Sequence, residues 1–177
     1  MEKIHNDLSQ KFNKGTIVIH WLTVILIFSL FPLGKYMEGL EPSEKLGLVK
    51  IHAVLGMIVF ILTAIRTWLF FKAPRPAELK TGSQFNDKLI VWVRNAFYFL
   101  LFAITISGSA TMILGGYGDA LSSDNADLIL NRGDIAPLKG HGLLAFTLMV
   151  LFVMHLVGII KHYFLLKENA LKRMLPW

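Results

Sequence analysis

The sequence predicts an all-α fold, an integral membrane four-helix bundle with both termini cytoplasmic. Three observations carry this. Hydrophobic residues make up 54% of the 177 and charged residues only 17%. Water-soluble domains run closer to about 45–50% and about 25%. The apolar residues gather into four runs, each long enough to cross a hydrocarbon core of about 30 Å, which takes roughly 20 helical residues. The basic residues flank those runs unevenly. Mean hydropathy is +0.55, which excludes a disordered chain and a typical soluble globule. The length suits one domain, 1–177, rather than two.

The spans are expected at about 16–33, 48–71, 89–114 and 141–166. They are rich in Ile, Val and Phe, which in water would suggest strands. In lipid each span must satisfy its own backbone hydrogen bonds, so at these lengths helix prevails. The intervening pieces, 34–45, 72–88 and 115–139, are polar or turn-rich. The second holds Pro74 and Pro76, and the third is the longest and contains Gly115-Gly116. No internal repeat or low-complexity tract stands out. The first span follows a basic tail but has no small-x-small cleavage site after it, only Phe31-Pro32-Leu33, so it is expected to be a retained anchor.

Orientation follows from Lys and Arg near the span ends. Lys3, Lys11, Lys14, Lys72, Arg75, Lys80, Lys88, Lys161, Lys167, Lys172 and Arg173 fall on one side; Lys35, Lys45, Lys50, Arg132 and Lys139 fall on the other. Eleven against five makes the first side cytoplasmic. The net charge of +6 therefore belongs to membrane topology, and no nucleic-acid partner is implied. The absence of cysteine excludes disulfides, thiolate-ligated clusters and haem attached covalently through C-x-x-C-H.

Ionisable groups inside a span are costly and mark function. Four of the six histidines lie within or at the ends of spans: His20, His52, His141 and His155. His141 and His155 are 14 residues apart, so at about 100° and 1.5 Å per residue they lie within about 40° of one face and roughly 21 Å apart in depth. His141 is at the outer level and His155 at the inner. His20 enters the first span at the inner level. His52 enters the second, antiparallel span at the outer level. The depths pair His52 with His141 and His20 with His155.

Two pairs of imidazoles facing each other across a bundle suit bis-histidine ligation of two haem b groups, whose apolar discs fill a helical interior. Gly56, Gly142 and Gly158, near these histidines, would let a backbone approach a ring or another helix closely. The plainer reading makes each histidine an interfacial side chain, and most Met and aromatic residues packing or lipid-facing groups. Arg66 follows His52 by 14 residues on nearly the same face at the inner level. It either offsets a haem propionate or marks the interface, and Arg94 reads the same way. His162, seven residues after His155, suits a quinone headgroup or a propionate, or again the interface. No acid–base or nucleophilic constellation is visible.

These residues meet a known pattern. Ile19-His20-Trp21-Leu22, His52-Ala53-Val54-Leu55-Gly56 with Arg66, Tyr98-Phe99-Leu100-Leu101-Phe102 with Ser107-Gly108, Gly140-His141-Gly142-Leu143-Leu144-Ala145, His155, Lys161-His162-Tyr163-Phe164 and the ending Leu171-Lys172-Arg173-Met174-Leu175-Pro176 resemble the bacterial cytochrome b561 family over nearly the whole chain. The resemblance implies a four-helix di-haem b protein of the bacterial inner membrane, with His20, His52, His141 and His155 as iron ligands. It further implies a superoxide:ubiquinone oxidoreductase, taking electrons from superoxide or another periplasmic donor and passing them to ubiquinone. Arg94 departs from the pattern, standing where a histidine is expected near the start of the third span. Lys35, Lys45, Lys50 and Lys139 are candidates to cluster around the outer haem and steer an anion there. The rivals are a cytochrome b anchor subunit that relays electrons from a partner dehydrogenase or hydrogenase to quinone, docking through 115–139, and a small transporter or channel using the histidines as a proton relay.

Overall fold

The computed structural model describes residues 7, 9–129, 135–166 and 169–175. Lys3, His5, Arg132, Asp134, Lys167 and Pro176 lie outside them. Among the described residues the protein is wholly helical: α1 (Lys14–Glu38), α2 (Pro42–Lys72), α3 (Gln84–Leu114), α4 (Tyr117–Ser123) and α5 (Ala136–Leu166). Short 3-10 turns at Ala126–Leu128 and Ala170–Met174 complete it. The four long helices are each long and apolar enough to cross a membrane.

These helices outrun the spans read from hydropathy, because the spans measure the hydrocarbon and the helices end at their caps. Asn13 begins α1: its side-chain oxygen accepts from Thr16 N–H at 2.9 Å, satisfying one orphan donor of the first turn. The helix then passes through Pro32 to Glu38. The expected span stops at about 33, where the apolar run gives way to polar residues, but the helix continues to its cap; Pro32 removes only its own N–H, a loss a membrane helix tolerates when its neighbours support it. Gly39 closes α1, and Pro42 opens α2, its fixed φ suiting the first helical position. The Glu41 N–H donates to the Glu44 carboxylate at 3.1 Å. The expected polar piece 34–45 thus shrinks to the three residues 39–41. Ser83 caps α3, which begins five residues before the expected start, and Asp87 fastens the preceding turn by accepting from the Thr81 N–H at 2.7 Å.

The segment just before α1, the turn after α5 and the α2–α3 connection share one end of the bundle. Phe12 N–H donates to the Arg173 carbonyl at 3.2 Å, and Arg173 donates to the Ala77 carbonyl at 2.7 Å. We call this the terminal end and its opposite the distal end. α1 packs on α2, α2 on α3 and α3 on α5. Leu30, Val59, Leu100, Leu101 and Leu148 form the central core. Thr23 and Thr63 are buried beside it with their hydroxyls donating to the carbonyls of Ile19 and Val59, both at 2.8 Å, so neither leaves a polar group unmet. Large side chains such as Trp68, Trp92, Phe99 and Leu143 point outward, as a lipid solvent permits.

The 115–139 piece is more ordered than a loop. α4 and the turn after it lay Tyr117, Ala120 and Ile129 onto Leu46 at the start of α2, closing the distal end. Burial raises the Tyr117 phenol above its ordinary range, so it stays neutral at physiological pH.

Candidate cofactor site

At the distal level all four long helices contribute to one cluster. His52 on α2 faces His141 on α5, with ring centres 6.0 Å apart and planes crossed at 71°. The His141 Nδ1 lies 3.0 Å from the Ile104 carbonyl and 3.2 Å from the Ser107 hydroxyl. A carbonyl only accepts, so Nδ1 carries the proton. The lone pair of the neutral ring is left on Nε2, the arrangement by which outer groups orient a ligating histidine. Gly108 on α3 makes room for this ring: a methyl group there would stand 3.1 Å from His141 Cε1. Gly34 on α1 passes close to His52, where a methyl group would stand 3.5 Å from Cε1. The His52 Nδ1 is buried with no hydrogen-bond partner among the described residues, an unmet cost in a core unless something else satisfies it.

The terminal level holds His20 on α1, Arg66 on α2, Phe97 and Tyr98 on α3 and His155 on α5. The Arg66 Nη1 donates to the His20 Nδ1 at 3.1 Å. Its guanidinium also lies over the Tyr98 ring, 5.7 Å from the centroid. It is within electrostatic reach of His155 too, and the two imidazoles are within such reach of each other. His155 packs edge-on against Phe97 at 5.4 Å. Arg66 therefore turns inward, which corrects the interfacial alternative. Its Nε is buried without a hydrogen-bond partner among the described residues.

Other candidates are placed differently. His162 is buried, with 8% of its surface exposed, so the interfacial alternative fails for it as well. Arg94 pairs with Glu78 at 2.9 Å and lies over Phe70, so its charge is met at the terminal surface. Lys35 pairs with Glu38, and Lys45 is buried in the first turn of α2. Gly142 and Gly158 are exposed, and a methyl group at either, or at half-buried Gly56, meets nothing within 4 Å. These three do not mark close helix approach; Gly34 and Gly108 do. The sequence reading also assigned no role to Ser107 or the Ile104 carbonyl. A hydroxyl one residue before a close-packed glycine was the available signal.

The residues fit a haem iron at the distal pair. A metal–imidazole bond of about 2 Å on each side, plus a ring radius of about 1 Å, separates two ring centres by about 6 Å. The observed spacing matches this, and the donor set is the bis-imidazole one.

Comparison with known proteins agrees with the class. The family profile described as "Prokaryotic cytochrome b561" matches residues 11–177. "Cytochrome b561 homolog 2" of Escherichia coli K12 is 28% identical over 172 residues, 94% of this chain and 92% of the relative. "Cytochrome b562" of Cereibacter sphaeroides is 24% identical over 170 residues, 93% of this chain and 94% of the relative. With its four apolar spans and a match along nearly its whole length, the chain belongs to the prokaryotic cytochrome b561 family: it is a multi-pass b-type cytochrome of the bacterial inner membrane, using haem b for electron transfer.

Proposed function

We propose that the chain is a di-haem b protein that oxidises superoxide, or another one-electron periplasmic donor, at the distal end and reduces ubiquinone near the terminal end. His52 and His141 would hold one haem, and His20 and His155 the other. Both termini are cytoplasmic in this reading, because the basic residues concentrate at the terminal end. The observation that carries it is the 6.0 Å spacing of the crossed His52 and His141 rings.

When bound, haem b supplies reversible one-electron chemistry through its iron. The overall reaction balances as two superoxide, one ubiquinone and two protons giving two dioxygen and one ubiquinol. The chain's own residues hold, orient and screen. The Ile104 carbonyl and the Ser107 hydroxyl fix the proton of His141 on Nδ1. At the terminal level the Arg66 bond requires a lone pair on His20 Nδ1, which puts the proton of a neutral ring on Nε2. Ligation through Nε2 requires the opposite tautomer. With a haem held that way, Arg66 would give up its bond to His20, and its guanidinium would be free to pair with a haem propionate, a pairing its bidentate fork suits. His162, buried toward the terminal end of α5, is the group proposed to contact the ubiquinone headgroup.

The test is a reduced-minus-oxidised spectrum with haem counted per chain. Two haems are expected in the parent. His52→Ala and His141→Ala should each remove the same spectral species, and His20→Ala and His155→Ala the other. Depletion of one species by both His52→Ala and His155→Ala would overturn the pairing. Stopped-flow mixing with superoxide should reduce the haems of the oxidised protein, and no reduction would remove superoxide as the donor.

A further inference from the structure

We infer that the C-terminal turn seats His20: Arg173 and Trp21 are positioning residues for one imidazole of the terminal-level pair. The inference rests on the reading that His20 holds a haem.

Arg173 has 4% of its surface exposed, although it lies in the short turn that follows α5. Among the described residues it forms no ion pair within salt-bridge distance. Its two terminal nitrogens go to different parts of the backbone. Nη1 donates to the Ala77 carbonyl at 2.7 Å and Nη2 to the Asp7 carbonyl at 2.6 Å. Its own carbonyl accepts from Phe12 N–H at 3.2 Å. One buried residue thus fastens the N-terminal segment, the α2–α3 connection and the C-terminal turn to each other. Burying a guanidinium is costly unless its protons are met, so this arrangement needs a reason beyond a surface tail.

The next residue supplies a reason. The Met174 carbonyl accepts from the Trp21 indole N–H at 2.8 Å. The Trp21 ring stands edge-on to His20, with centres 5.5 Å apart and planes at 68°. The chain of contacts therefore runs from Ala77 and Asp7 through Arg173 and Met174 to Trp21, and from Trp21 to His20. It enters α1 two turns from Asn13, whose side chain caps that helix directly after Phe12. His20 is held on one side by Trp21 and meets Arg66 through Nδ1. No comparable tether reaches His52, which is placed by α1 and α5 alone among its described ring and glycine contacts. Fixing the ring plane of an axial imidazole and shielding its site from water are two of the means by which protein tunes a haem.

The experiment uses the full chain with haem, in detergent. Trp21→Phe keeps a ring against His20 and deletes only the N–H that reaches Met174. Arg173→Lys keeps the charge, but an ammonium lacks the fork that spans two carbonyls. Each haem's midpoint potential is read by redox titration, and haem release is followed into excess apomyoglobin. Both variants should shift the midpoint of one haem, the one lost in His20→Ala, and release that haem about fivefold faster, the factor that one lost hydrogen bond typically carries. The other haem should keep its midpoint. Unchanged midpoints and release rates, or equal changes at both haems, would overturn the inference. If His20→Ala itself retains both haems, the ligand reading fails instead, so the two failures are distinguishable.

Discussion

At the scale of single residues, His141 is the most fully specified group in the bundle. Its proton is fixed by a carbonyl that can only accept, and its ring is backed by a position with no side chain. A methyl group at Gly108 would stand 3.1 Å from Cε1 and 3.3 Å from Nδ1, so the ring would have to yield by a few tenths of an ångström. Gly108→Ala is therefore expected to alter the spectrum or midpoint of the haem proposed for His52 and His141 while leaving the one proposed for His20 and His155 unchanged. The overpacking cost is about 1–3 kcal/mol, and redox-resolved absorption checks it. That His52 and His141 are neighbours was legible from depth arithmetic, because both open their spans at the outer level of the bundle. The proton's location was not, since it is set by a backbone carbonyl on α3, and sequence does not reveal which carbonyl a fold brings near. Arg173 was legible only as one more cytoplasmic charge; its burial depends on two backbone segments distant in the chain.

At the scale of elements, the glycines around the start of α4 should separate clearly. A methyl group at Gly115 would lie 2.7 Å from the Thr111 carbonyl oxygen and 2.7 Å from Ile135 Cδ1. Gly116 sits at φ 71°, the left-handed region, where other residues are strained by about 1–2 kcal/mol. Gly118 is helical, and its nearest contact would be an ordinary 3.4 Å. Gly115→Ala and Gly116→Ala should lower the thermal midpoint in detergent, and Gly118→Ala should leave it unchanged or raise it slightly. The same region shows where hydropathy misleads about elements. It reports which residues suit hydrocarbon, so it located four helices and understated each of them. It treated 115–139 as connection because Tyr117, Ala120 and Ile129 are too few to form an apolar run, yet they bury together against Leu46.

At the scale of the whole molecule, the distribution of charge makes a directional statement. The terminal end carries Arg75, Arg94, Lys72 and Lys172 as well as the buried Arg173, whereas α4 presents Asp119 to its surroundings. Green fluorescent protein fused at either terminus should fluoresce, and alkaline phosphatase inserted after Ser123 should be active, as expected for cytoplasmic termini. The reverse result would invert the proposed direction of electron flow while leaving the bundle itself intact.

The connection of three residues between α1 and α2 has a consequence for biosynthesis. Those two helices leave the ribosome as a tight hairpin, already holding His20 and His52. Their proposed counterparts, His141 and His155, both ride on α5, which follows the other three spans in the chain. On the proposed pairing, neither imidazole pair is complete until α5 is made, so porphyrin capture would follow insertion of the first three spans rather than guide it. A nascent chain arrested before α5 should stay in the membrane and remain colourless.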